Sequence, residues 1–130
     1  MIVVLLAAAV GLGAPATTAE TRIATYCSPS GDVCYGVFGR RHRVYLRITT
    51  AARYFRRYML CVRLLPVGGG GAEHALRCGS FPLFRGGGGT WISTINYARQ
   101  YPITQPGRYR VTWKSGQPLG PSLTFRLPLR

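Results

Sequence analysis

Apolar and polar residues alternate with a period of two in four stretches of the chain. In residues 43–49, Val44, Leu46 and Ile48 fall on one side, and Arg43, Tyr45, Arg47 and Thr49 on the other. In residues 57–65, Tyr58, Leu60, Val62 and Leu64 alternate with Arg57, Met59, Cys61 and Arg63. In residues 108–114, Tyr109, Val111 and Trp113 alternate with Arg108, Arg110, Thr112 and Lys114. In residues 122–127, Leu123, Phe125 and Leu127 alternate with Ser122, Thr124 and Arg126. An extended backbone points successive side chains to opposite faces, so this pattern, rich in β-branched and aromatic residues, marks half-buried strands. Weaker strand patterns cover residues 22–26, 33–38, 75–84 and 90–98, the last with Trp91, Ile95 and Tyr97 turned inward. No segment keeps a helical period over three turns; residues 51–58, AARYFRRY, are expected to make one helical turn between strands. About seven short strands separated by turn residues predict an all-β fold, an antiparallel sandwich or a barrel.

The chain has 130 residues, 47% of them hydrophobic, which is enough for one packed domain. Residues 1–13, MIVVLLAAAVGLG, form an unbroken run of apolar or small residues, followed by Ala14-Pro15-Ala16 and Thr17-Thr18-Ala19. That order reads as an export signal with two small-residue cleavage options, although no Lys or Arg precedes the run. The run is shorter than the ~20 apolar residues that a bilayer-spanning helix needs. The expected division is therefore a signal peptide at 1–19 and a secreted or cell-envelope domain at 20–130.

Four cysteines, Cys27, Cys34, Cys61 and Cys78, lie in what is then a small exported domain, where disulfides are the rule. Cys27–Cys34 would close the turn CSPSGDVC, and Cys61–Cys78 would close a hairpin. The spacings match no zinc knuckle, and no metal site is expected. Two tetraglycines, Gly68–Gly71 and Gly86–Gly89, precede Ala-Glu-His and Thr-Trp-Ile. Neither context is a phosphate-cradling loop, and both read as hairpin loops.

The segment PGRYRVTW, from Pro106 to Trp113, resembles the sixth strand of immunoglobulin-like and fibronectin-type domains. A Pro/Gly corner there leads into a Tyr and then into alternating apolar residues. RVYLRITT and YMLCVRLL look like the second and third strands, and SGQPLGPSLTFRL like the last strand pair. The resemblance covers roughly residues 43–127. It implies an immunoglobulin-like sandwich in which Tyr109 packs inward and hydrogen-bonds back to the preceding loop. The cysteines depart from the antibody pattern: neither the second nor the sixth strand carries one. The whole chain also resembles small exported proteins of high-GC Gram-positive bacteria, a likeness that implies no activity.

Charge narrows the function further. Seventeen basic residues face three acidic ones, a formal net charge of +14. Catalysis needs a nucleophile, a base and an orienting acid within reach of one another. His42 stands in the basic run Arg40-Arg41-His42-Arg43, His74 follows Glu73 in a glycine-flanked loop, and Asp32 follows Gly31 as a turn residue does. These residues point away from an enzyme, with no catalytic residue and no cofactor expected. In the resembled fold the third, sixth and last strands share a sheet, whose outward residues would be Arg57, Arg63, Arg108, Arg110, Lys114 and Arg126. That face is the candidate site for an anionic polymer or surface: a cell-wall phosphate polymer, an anionic lipid, an acidic glycan or nucleic acid. The rival is a protein-binding module, an inhibitor or adhesion subunit, acting through Tyr54, Phe55, Arg56 and Phe84. A monomer is expected.

Overall fold

The computed structural model describes residues 19–66, 76–101 and 104–129. Residues 1–18 of the expected signal peptide, the first tetraglycine, Glu73 and His74 lie outside the described residues. The chain folds as an all-β sandwich of two antiparallel sheets. One sheet has the order β1-β2-β3-β7-β6, with β1 at Thr21–Cys27, β2 at Val33–Arg40, β3 at Arg43–Thr50, β6 at Phe84–Arg85 and β7 at Trp91–Asn96. The other has the order β10-β8-β4-β5, with β4 at Arg57–Leu64, β5 at Leu76–Pro82, β8 at Gly107–Ser115 and β10 at Leu123–Leu127. A two-residue strand β9, Gln117–Pro118, extends the β8 hairpin.

The alternation assigns each face as the sequence indicates. Val44, Leu46 and Ile48 of one sheet meet Leu60, Val62, Val111 and Trp113 of the other, all buried. The Tyr35 ring stacks on Trp113 with centroids 4.4 Å apart. Tyrosines supply much of the core, and a buried phenol needs a partner for its hydroxyl. Tyr58 shares a 2.7 Å hydrogen bond with Ser93, Tyr35 donates to the Pro121 carbonyl at 2.6 Å, and Tyr101 donates to the Leu60 carbonyl. Burial pushes the Tyr35 and Tyr58 hydroxyls up to about 12 and raises those of Tyr97 and Tyr101 further. Tyr109 is fully buried and its hydroxyl donates to the Gln105 carbonyl, the contact expected of a corner tyrosine. The corner needs Gly107: its φ is 154°, and a Cβ there would sit 2.9 Å from Leu64.

Three local expectations are corrected. Residues 51–56 make bends and no helical turn, and 57–58 already belong to β4; the Thr50 hydroxyl donates to the Ala52 carbonyl and turns the chain instead. The predicted strand at 75–84 is two strands in different sheets: β5 ends at Pro82, which has no N–H to donate, and the chain crosses at buried Leu83 into β6. The strand at 90–98 stops at Asn96, and Tyr97–Gln100 form a single helical turn, α1, that keeps Tyr97 buried. Gly87–Gly89 form a 3-10 turn between β6 and β7, so the second tetraglycine is a hairpin loop.

Candidate polyanion interface

Antiparallel register decides which charges meet. In β4 the inward Tyr58, Leu60, Val62 and Leu64 leave Arg57, Met59, Cys61 and Arg63 on the outer side. In β8 the outer side carries Arg108, Arg110, Thr112 and Lys114, and in β10 it carries Thr124 and Arg126. All six cations picked from the sequence thus lie on one sheet and one side of it. The register adds what the sequence could not show. Arg126 is directly opposite Arg108, and Arg110 is directly opposite Arg63. Side chains directly opposite in an antiparallel pair have Cβ atoms about 4.5–5.5 Å apart, and like charges so placed are destabilising. Lys114 is opposite Met59. Arg57 is anchored on this face: its Nε donates to the Ser80 hydroxyl at 2.9 Å and its Nη2 to the Ser80 carbonyl at 2.8 Å.

The disulfide Cys61–Cys78 joins directly opposed residues of β4 and β5 in the middle of this face. Cys27–Cys34 does the same for β1 and β2 on the other sheet. Both pairings are those expected from the sequence, and two disulfides match an oxidising compartment. Among the described residues no helix is long and apolar enough to cross a membrane.

The outer side of the β1-β2-β3-β7-β6 sheet is also basic, with Arg40 directly opposite Arg43, but several of its arginines meet a ring or a carboxylate. Glu20 takes a bidentate pair from Arg47, with contacts of 2.9 and 2.6 Å, and this hydrogen bond holds the Glu20 carboxyl below its usual value. The Arg47 guanidinium also lies over the Phe38 ring at 4.5 Å. Arg40 lies over Tyr45 at 5.4 Å. At the core-facing side of the same sheet, Arg53 and Arg85 both lie over Trp91, at 5.0 and 5.9 Å. Hydrogen bonding from Arg40, helped by Arg43, lowers the Tyr45 hydroxyl. No such ring or carboxylate meets Arg108, Arg110, Lys114 or Arg126 among the described residues. Both described carboxylates lie on the opposite side of the sandwich: Glu20 on Arg47, and Asp32 in the β1–β2 turn, where it interacts with Tyr54.

The residues of the rival reading separate. Tyr54 and Phe84 are 54% and 62% exposed, whereas Phe55 packs against the core. The loop holding Tyr54 and the Leu83 crossing are joined by the Leu83 amide donating to the Arg56 carbonyl at 3.3 Å. His42 sits in the two-residue turn between β2 and β3, where it and Arg41 both have positive φ. Among the described residues no group of three or more His, Cys, Asp or Glu side chains is placed to hold a metal. No protein-family model, no curated protein and no solved structure matches the chain.

Proposed function

We propose that the chain is an exported, non-catalytic binding module, and that the outer face of its β10-β8-β4-β5 sheet holds an anionic polymer or surface. The observation that carries this reading is the opposition of arginines on both sides of β8, Arg126 against Arg108 and Arg63 against Arg110, whereas the opposed Arg40 and Arg43 of the other sheet both engage the Tyr45 hydroxyl. Opposed like charges cost stability. An array of anionic oxygens laid over the strands would turn that cost into binding energy, because each guanidinium offers a planar fork of donors to phosphate, sulfate or carboxylate. The strand order supports an immunoglobulin-like module: β8 carries the corner tyrosine and lies between β4 and β10, and β3 pairs β7 in the other sheet.

Salt tests it. Duplex DNA serves as a probe of known charge spacing. Binding through about five of these cations gives a log–log slope of affinity against salt near −4 to −5. A slope near zero would show that contacts other than charge hold the ligand. The second reading, a protein-binding module, draws support from Tyr54 and Phe84, which are exposed at the ends of segments joined by a hydrogen bond. Binding of that kind survives high salt and is lost on Phe84→Ala.

A further inference from the structure

We infer that the anionic partner of this face is the surface of a lipid bilayer, a proposal that rests on the polyanion reading of the same residues. Its starting point is what lies between the cations. Four large hydrophobic side chains are exposed among the described residues, and two of them, Met59 and Leu76, are on this face, 43% and 51% exposed. Leu76 is opposite Arg63, Met59 is opposite both Lys114 and Ser80, and the Cys61–Cys78 disulfide lies between these rows. Along the outer line of β4 the order is therefore Arg57, Met59, Cys61, Arg63: cation, two apolar groups, cation. A shallow depression of about 360 Å3 is floored by the disulfide and edged by Leu76, Arg110, Lys114 and Pro118.

A soluble polyanion rewards the cations of such a surface and gives nothing to its apolar centre. Single-stranded nucleic acid would reward aromatic platforms. The outward residues of β4, β8 and β10 include none: they are Arg, Lys, Thr, Met and Cys. A bilayer of anionic lipids supplies both complements at once. Its headgroup phosphates meet the guanidinium groups, and Met59, Leu76 and the disulfide enter the boundary between headgroups and acyl chains. The long stems of the surrounding Arg and Lys side chains can lie along the same apolar layer while their charged ends reach the phosphates.

The test uses residues 20–130, which hold every described strand, both disulfides and the whole described core. Three probes are compared by co-sedimentation or titration: phosphatidylglycerol–phosphatidylcholine vesicles, pure phosphatidylcholine vesicles, and soluble polyphosphate. The parent chain binds the anionic vesicles well above the neutral ones. The variant Met59→Ser/Leu76→Ser loses about tenfold on anionic vesicles and less than twofold on polyphosphate. Met59→Trp, read by fluorescence, shifts to the blue on anionic vesicles and is quenched by brominated lipid. Three results overturn the bilayer proposal: polyphosphate binding without vesicle binding, equal binding to neutral vesicles, or anionic-vesicle binding unchanged in the Ser variant with no shift at Trp. In the first and last of these the polyanion reading stands. Binding to neither anionic probe sinks both.

Discussion

Two outer faces of one sandwich carry arginine in similar number, and each is crossed by a disulfide between directly opposed cysteines. They differ in what the arginines touch. On the β1-β2-β3-β7-β6 face, Arg47 is shared between Glu20 and Phe38, and Arg40, although opposite Arg43, lies over Tyr45. On the β10-β8-β4-β5 face, Arg126 opposes Arg108 and Arg63 opposes Arg110. Basic composition alone therefore does not make a binding surface. Arginines engaged by rings and carboxylates contribute to the fold, whereas Arg108 and Arg126, set against each other with no ring or carboxylate between them among the described residues, cost the fold something.

The comparison can be strained in three ways, from large effects to small. Replacing a cystine by two alanines removes its constraint on the unfolded chain. The loop-entropy relation gives about 3 kcal/mol for Cys61–Cys78 and about 2.5 kcal/mol for Cys27–Cys34, whose loop is shorter. Denaturant unfolding is expected to rank the two in that order. Only the Cys61→Ala/Cys78→Ala variant should also weaken polyanion binding, since its cystine ties β5 to the middle of the cationic face.

Alkaline pH probes the core that both faces share. Tyr58 keeps its proton to about 12 in the folded chain and loses it near 10 when unfolded. Between those values the native state binds more protons than the unfolded state, so stability falls as pH rises. Tyr58 alone accounts for a loss of about 2 kcal/mol by pH 12 and for none below pH 9. Tyr45, lowered by Arg40 on the opposite face, should ionise before the buried tyrosines in an ultraviolet titration. A single steep transition with no early phenol would break that distinction.

The smallest effects carry opposite signs. Arg47→Ala loses the Glu20 pair and the Phe38 contact and is expected to lower stability by up to about 1 kcal/mol. Arg108→Gln relieves the opposition to Arg126 and is expected to raise stability by a few tenths of a kcal/mol. Equal losses in both variants would mean that the two faces do not differ.

Much of the fold was legible because alternation is a local signal. The strands containing Leu46, Leu60, Val111 and Phe125 could be read from residues two apart, and the two cystines followed from turns that their own flanks define. The Tyr109 corner was readable from Pro106-Gly107 beside it. What failed depended on the tertiary frame. Nothing within 75–84 shows that the chain changes sheets at Leu83, because that depends on where β7 waits to receive β6. The helical turn expected at 51–58 gave way to bends. The membership of the cationic face was legible from the parity of Arg57, Arg63, Arg108, Arg110, Lys114 and Arg126. Which arginines oppose each other was not, since that needs the register between β8 and both its neighbours. The Glu20–Arg47 pair was also missed: 27 residues separate its partners, and no pattern links them.

Charge reversal on each face in turn tests the central claim most directly. The affinity of residues 20–130 for one polyanion, at one salt concentration near 0.15 M, is measured for Arg108→Glu/Arg110→Glu and for Arg43→Glu/Arg47→Glu. Both variants change the net charge equally. The first is expected to lose roughly 100-fold or more and the second only a few-fold, from the shared long-range field. Equal losses, or a larger loss from Arg43→Glu/Arg47→Glu, would contradict the assignment of the site to the β10-β8-β4-β5 face.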